Sequence, residues 1–465
     1  MIKIETDTRK IKPGQTYVAI SGHTVDGHDY INKAIEAGAT KVVVEKDVEA
    51  SVPIEKVEST KNYVNKVLVE EYSKPLDDLT IIGVTGTNGK TTTCYLTYQM
   101  LKELGINAAY IGTIGFYYGD EKRELPNTTP DILSLYKLFY EAMENGCTHV
   151  VMEVSSHSLE EKRIEGLHYD VAAFTNLTQD HLDFHKTMEN YLKAKTKIMN
   201  YIVPNGKMIV NNDDEYSKAF NKEGIKTIKI GYKEDSNIKF EAANFTPVGT
   251  NIKFNEVDRE LEINTNLTSR FNVYNYMTCY TILRALGYSY EQIKEATQNI
   301  YPPSGRCEII PVNDGFAVID YAHTPDAVDK IISSMNELKQ GRIITVIGCG
   351  GDRDPIKRPI MGNIACAKSD YVVFTNDNPR TEDPVKIMLD ITKDLPYDNY
   401  EIELDRTKAI HRAIDIMKPN DIVCVLGKGH EDYQIIGHEK IHLDDHEIVR
   451  SWTKKEDIKK RSLKP

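Results

Sequence analysis

No stretch of the 465-residue chain holds the roughly 18 consecutive apolar residues that a membrane-spanning helix needs, so no membrane span is expected. The opening residues, Met1-Ile-Lys-Ile-Glu, do not read as a secretory signal. Cys-x-x-Cys is absent as well. The seven cysteines (Cys94, Cys147, Cys279, Cys307, Cys349, Cys366, Cys424) are scattered. That spacing argues against a disulfide framework or a zinc site and fits reduced thiols, hence a cytoplasmic protein. Basic residues are outnumbered: 58 Lys and Arg face 70 Asp and Glu, a formal net charge of −12. Nucleic-acid binders are usually basic, so no nucleic-acid partner is expected. Internal repeats, heptads and low-complexity tracts are also missing. What is present is the composition of an ordinary globular protein, 40% apolar and 28% charged. The chain is too long for one core, which implies roughly two to four domains.

Three blocks can be drawn. Residues 1–75 carry short strands at Gln15–Ile20 and Lys41–Glu45 around one helix, Tyr30–Ala37. Residues 76–303 alternate apolar runs (His149–Val154, Val171–Thr175, Lys207–Val210) with turn or helix signals, which is βα order. Within this block, 237–267 alternates polar and apolar residues and predicts antiparallel strands. Pro302-Pro303-Ser304-Gly305 is the clearest linker. Residues 304–465 then repeat the α/β pattern, with parallel strands expected at Phe316–Ile319, Ile343–Ile347, Tyr371–Phe374 and Ile422–Leu426.

The most informative stretch is Leu79-Thr-Ile-Ile-Gly-Val-Thr-Gly-Thr-Asn-Gly-Lys-Thr-Thr-Thr. Ile81, Ile82 and Val84 read as a buried parallel strand. Gly86 and Gly89 allow a tight turn that aims backbone N–H groups at a phosphate, with Thr87 and Asn88 between them. Lys90 supplies a charge for the terminal phosphates, and Thr91, followed by Thr92, offers a hydroxyl to Mg²⁺. A helix from Lys90 to Leu104 would point its positive end at the anion, with Gly105 as its cap. The strict phosphate-loop spacing fails, because Val84 stands where Gly is required and Gly83 comes one residue early. An ordinary Gly-rich turn is the plain alternative.

Other polar loops follow the remaining apolar strands, where α/β sheets collect ligands. Glu153 ends one strand and could hold Mg²⁺ beside a phosphate loop, or be simple surface. His181, in Thr175-Asn-Leu-Thr-Gln-Asp-His, could ligate a metal or cap a turn. Lys195, on a helix, would normally be solvated. Asp320 and His323 could bond a ribose or base, or only form a turn. Gly348-Cys-Gly-Gly-Asp-Arg353 reads as a second anion-friendly loop, with Arg353 as a carboxylate fork. Asp377 with Arg380 could grip a zwitterion, and Glu431 could take an ammonium.

In order, Gly86-Thr-Asn-Gly-Lys-Thr-Thr, Glu153-Val-Ser-Ser-His, Thr175-Asn-Leu-Thr-Gln-Asp-His, Lys193-Ala-Lys, Asp320-Tyr-Ala-His-Thr-Pro, Gly350-Gly-Asp-Arg-Asp, Asp377-Asn-Pro-Arg and Gly427-Lys-Gly-His-Glu closely resemble the Mur ligase family. They are most similar to those members that add the third residue of the peptidoglycan stem peptide. The resemblance covers nearly the whole chain. It implies an α/β protein of three domains: a small α/β N-terminal domain for the UDP end of the substrate, a central P-loop-like ATPase domain with a parallel sheet, and a C-terminal Rossmann-like domain for the amino acid. It also implies a monomer working on small molecules.

The resemblance assigns roles residue by residue. Lys90 binds ATP phosphates. Thr91, Glu153, His181 and Lys195 surround Mg²⁺, with Lys195 as its carbamate. Arg306, Asp320 and His323 match the nucleotide region. Thr8, His23, Asn127, Thr128, Thr129, Ser155 and Arg163 match positions that hold UDP-MurNAc-L-Ala-D-Glu. Arg353, Asp377, Asn378, Pro379, Arg380, Gly427 and Glu431 match the amino-acid pocket, and the Asp-Asn-Pro-Arg form resembles enzymes that take meso-diaminopimelate rather than lysine. Two departures stand out: Thr8 replaces a common Ser, and Glu161 replaces a usual Gln, adding negative charge near an anion. The implied activity is ATP-dependent amide ligation through an acyl phosphate. Its rivals are a folylpolyglutamate-synthetase-like ligase and a binding module gated by nucleotide without catalysis.

Overall fold

The computed structural model describes residues 2–22 and 25–452. Among these residues four sheets form. The first holds Ile4–Glu5, Thr16–Val18, Lys41–Val44 and Ile54–Lys56, all parallel, with the helix Ile31–Glu36 on it. Glu5 is buried here and pairs with Lys137 of the next unit, tying the two together.

The second sheet has eleven strands. Its centre is parallel: Ile202–Asn211, Tyr169–Phe174, Thr80–Thr85, His149–Glu153 and Ala108–Gly112 lie side by side. These strands are continuous apolar runs because helices cover both faces. The parallel centre and the antiparallel strands at 237–267 are both as expected, and together they make the sheet mixed. Ile238–Thr246, Gly249–Glu256 and Arg259–Thr265 extend one edge as an antiparallel meander, and Gly115–Tyr118 and Glu121–Arg123 extend the other. The meander's alternation has its cause in one buried face, where Ile238, Phe240, Ile252, Phe254, Leu261 and Ile263 pack under the long helix Arg270–Leu286.

The third sheet runs Glu308–Val312, Gly315–Asp320, Ile422–Leu426, Ile343–Ile347, Tyr371–Phe374 and Tyr400–Ile402, parallel except for its first pair. A hairpin, Tyr433–Ile436 with Glu439–His442, follows the last parallel strand. The linker is packed tightly on this unit: a Cβ on Gly305 would lie 2.1 Å from the Gly429 carbonyl carbon.

Candidate active site

The phosphate-loop strand ends at Thr85, in the middle of the central sheet. Gly89 caps the helix Lys90–Glu103 in the left-handed region (φ +85°), and no side chain caps that helix end. Its first N–H groups therefore point outward at the positive end of the helix dipole, which is an anion seat. The loop is laced to the neighbouring strand end. Thr87 donates its N–H to the Asn176 carbonyl (2.8 Å), Asn88 donates to Asn176 Oδ1 (2.9 Å), and Thr175 Oγ1 donates to the Asn88 carbonyl (2.6 Å). Asn88 Nδ2 also reaches Asp326 Oδ2 of the C-terminal unit at 2.9 Å. The misplaced Gly83 has a packing reason: a Cβ there would lie 2.7 Å from the Tyr169 ring.

Two lysines meet in this loop. Lys90 Nζ donates to the carbonyls of Gly86 and Thr87, both at 2.9 Å. Lys195 is buried, donates to Gly86 at 2.7 Å, and stacks over Tyr191. Burial pushes both ammonium groups below their usual range, and for Lys195 the charge of Lys90 adds to a large shift. The helix Met188–Thr196 packs this face inward, so Lys195 is not the solvated residue that a helical lysine normally is.

Glu153 is fully buried and is held by four hydrogen bonds. Oε1 accepts from Tyr110 Oη (2.6 Å) and Thr113 N (2.8 Å); Oε2 accepts from Thr91 Oγ1 (3.0 Å) and Thr113 Oγ1 (3.1 Å). His181 sits at the head of a short helix with φ +54°, its ring edge-on to His157 (5.0 Å) and to Tyr191. Burial lowers its pKa. Among the described residues no three His, Cys, Asp or Glu side chains converge as a metal cluster. A divalent cation would therefore find one carboxylate and one hydroxyl, Glu153 and Thr91. An ammonium at Lys195 would repel it, and a carbamate there would add oxygens. That small oxygen set fits Mg²⁺, which binds through one or two carboxylates together with substrate phosphates.

The residues matched to the UDP substrate gather partly around the same carboxylate. Thr129 Oγ1 donates to the Glu153 carbonyl (2.8 Å) and accepts from Ser155 N (3.1 Å). Arg163 Nη1 donates to the Thr129 carbonyl (2.8 Å), and Thr128 Oγ1 meets Thr113 Oγ1 at 3.0 Å. Asn127 is exposed beside them. Glu161 is paired with Arg163 at 2.6 Å, so the extra charge that the sequence raised is compensated. Thr8 lies apart, in the Thr8–Lys10 turn of the first unit, and His23 falls outside the described residues.

Across the linker, Arg306 stacks on Tyr321 (4.4 Å), and its buried Nε has no partner among the described residues. Asp320 accepts from Cys307 N at 2.7 Å, and burial raises its pKa to about 6. His323 is exposed, with Nδ1 on the Tyr321 carbonyl at 2.8 Å. A stacking arginine with an unsatisfied donor, beside a carboxyl group, fits the base and sugar of a nucleotide.

The loops after Phe374 and Leu426 interlock. Asn378 Nδ2 donates to Glu431 Oε2 (2.9 Å), and fully buried Lys428 bridges Asn378 Oδ1 (3.2 Å) and Glu431 Oε2 (3.1 Å). Gly427 keeps room for Asp377, whose Oδ2 would lie 2.6 Å from a Cβ there. Arg380, at φ +52°, donates Nη1 to the Gly351 carbonyl (2.7 Å), and the Pro379 carbonyl also presses on Gly351. Arg353 is exposed and bonds the Asp352 carbonyl at 3.0 Å. The buried fork of that segment is Arg358, committed to Glu382 and Asp390, since the helix Lys357–Lys368 turns it inward.

Between the units lies a cleft of about 400 Å³ lined by Thr113, Tyr117, Arg123, His430, Glu431 and Tyr433, among others. It runs from Thr113, which bonds Glu153, to Glu431. Sequence reasoning missed Tyr110, Thr113, Asp326, Lys428 and Arg358. Thr113, directly after a glycine at a strand end, and Lys428, inside the Gly427-Lys-Gly-His-Glu motif, carried a local signal.

A mixed α/β protein with a phosphate loop in its central unit and a cleft lined by acidic and basic side chains beside it has the architecture of a nucleotide-using α/β enzyme. The sequence matches agree. Residues 84–283 match the Mur ligase middle domain, 305–429 the Mur ligase, glutamate ligase domain, and 3–81 the Mur ligase family, catalytic domain. The chain belongs to the Mur ligase family. It is 41% identical to UDP-N-acetylmuramoyl-L-alanyl-D-glutamate–2,6-diaminopimelate ligase 1 of Clostridium acetobutylicum, covering 96% of this chain and 94% of that protein. It is 42% identical to the corresponding ligase of Fusobacterium nucleatum, covering 96% and 93%. A solved structure of such a diaminopimelate ligase superimposes with a TM-score of 0.70 at 27% identity, covering 98% and 95%. The ADP complex of MurF ligase from Thermotoga maritima, 18% identical with a TM-score of 0.70 over 98% of both chains, shares the fold.

Proposed function

We propose that this protein is the ATP-dependent ligase that joins meso-diaminopimelate to the D-Glu side-chain carboxylate of UDP-MurNAc-L-Ala-D-Glu, for peptidoglycan synthesis. The observation that carries the reading is the phosphate loop whose helix sets Thr91 on buried Glu153, with a cleft beside it that runs from Thr113, also bonded to Glu153, to Glu431. In this reading the γ-phosphate of ATP passes to the D-Glu carboxylate, releasing ADP. The amine of the amino acid attacks the acyl phosphate, the amide forms, and phosphate leaves while the amine gives up a proton. The N–H groups of the Lys90–Glu103 helix and the Lys90 amine cradle the phosphates. Arg306 and Asp320 hold base and sugar. Thr128, Thr129, Ser155 and Arg163 orient the dipeptide end, and Glu431 receives an ammonium. Thr91, Glu153, His181 and carbamylated Lys195 would hold Mg²⁺, which neutralises charge on the transferring phosphoryl group.

Lysine in place of diaminopimelate is the nearest alternative, and the Asp377-Asn-Pro-Arg380 loop favours the diacid. The folylpolyglutamate-synthetase alternative rests on fold alone: one such structure, from Thermotoga maritima, has a TM-score of 0.61 at 16% identity. A panel of amino acids offered with ATP and UDP-MurNAc-L-Ala-D-Glu, read by product mass, tests the proposal. A product heavier by one diaminopimelate residue supports it; consumption of lysine in preference, or no product, overturns it.

A further inference from the structure

Tyr110 carries no phosphate-loop, strand-end or pocket motif, yet its hydroxyl makes the shortest bond to the one carboxylate that faces Thr91. The contact is built from several sides. The ring is buried and boxed by Tyr95, Tyr98 and Tyr117 at centroid distances of 6.0, 6.3 and 5.5 Å. Gly112 leaves the space it needs: a Cβ there would lie 2.2 Å from Tyr110 Oη and 2.3 Å from Glu153 Oε1. The backbone N–H of Thr113 then closes on the same oxygen at 2.8 Å.

The two carboxylate oxygens consequently differ. Oε1 is taken by a phenol and a backbone amide. Oε2 faces the hydroxyls of Thr91 and Thr113, which rotate. A cation approaching from the phosphate loop meets Oε2 alone. One-oxygen carboxylate ligation suits the small, strictly octahedral Mg²⁺, whereas Ca²⁺ accepts a two-oxygen grip and looser geometry. We propose that Tyr110 is a positioning residue that holds Glu153 as a one-oxygen ligand and so sets the site's preference for Mg²⁺ over larger divalent cations. The inference rests on the proposed Mg²⁺ role of Glu153 and Thr91.

The experiment measures Mg²⁺ and Ca²⁺ affinity in the presence of ADP by calorimetry, with thermal unfolding in EDTA as a check on folding. It compares the full-length protein with Tyr110→Phe. Partners that orient a metal ligand are commonly worth about tenfold or more in affinity. Tyr110→Phe should therefore weaken Mg²⁺ by about that factor and lower the Mg²⁺-to-Ca²⁺ ratio, while ADP binding without metal stays unchanged. Tyr110→Leu, which also removes the phenol and leaves Glu153 unobstructed, should shift the ratio in the same direction and serves if Tyr110→Phe does not fold. A wild-type ratio in either folded variant overturns the proposal. Failure of the native protein to bind metal with ADP would instead sink the Mg²⁺ assignment on which it stands.

Discussion

Lys195 donates to the carbonyl of Gly86 at 2.7 Å, from a helix 109 residues further along the chain. The bond brings a second amine into the phosphate loop beside Lys90, inside a site with little room for two positive charges. Burial and Lys90 together hold the Lys195 amine well below its usual range, which favours its uncharged form. A neutral amine is the form that adds to CO₂, and a carbamate formed there would turn a repelling group into a cation ligand. Activity should therefore fall in CO₂-stripped buffer and return with bicarbonate, and Lys195→Ala should lose most activity, with partial rescue by a short carboxylate. A carbamate carbon visible by ¹³C NMR after labelling with ¹³CO₂ checks the chemistry directly. A native protein that is fully active with no label at this site would rule it out.

Lys90→Ala should abolish ligation and leave the fold intact. Its amine bonds only carbonyls of its own loop, so removal opens no core cavity. Losing a charge used mainly in the transition state costs on the order of a hundredfold or more in rate. Turnover at saturating ATP and a melting curve test the two halves separately.

Arg380 should decide the choice of amino acid. It is half-buried, held at φ +52°, and uses Nη1 on Gly351, which leaves the rest of its fork for a carboxylate. Diaminopimelate offers that carboxylate and lysine does not, so binding lysine would strand a desolvated guanidinium. Arg380→Ala should raise KM for diaminopimelate strongly, leave KM for ATP nearly unchanged, and shrink discrimination against lysine. Competition between the two amino acids, followed by product mass, reads the result.

Arg406 and Asp445 form an ion pair with both side chains fully buried. Removing one partner leaves an uncompensated charge. Arg406→Met should thus destabilise the protein by about 3–5 kcal/mol, and adding Asp445→Leu should recover part of the loss. Chemical denaturation of the single and double variants measures both steps.

His446 faces Glu308 at 2.8 Å and Asp444 at 2.9 Å, with Ser304 of the linker at 3.3 Å and Arg450 against Glu308. Burial alone would lower its pKa; the two carboxylates more than reverse this and leave it above 6.5. A raised folded-state pKa stabilises fully below the unfolded value and loses that contribution as pH rises through the folded value. Folding stability should accordingly drop as pH rises above 6.5, and His446→Gln should flatten that part of the profile. Denaturation midpoints across the interval provide the comparison.

By itself the sequence determined the phosphate loop, the strand ends that carry polar loops, the meander from its alternation, and the family from eight ordered motifs. These are local: a Gly-x-x-Gly-Lys turn or a run of buried β-branched residues is dictated by neighbours in the chain. The tertiary structure decided what depends on desolvation and on long-range packing. It buried Lys195, turned Arg358 inward, and gave Glu153 its four donors. Burial is a property of everything packed around a group, and Tyr110 meets Glu153 only because their strands pair in register. No window of sequence contains that pairing.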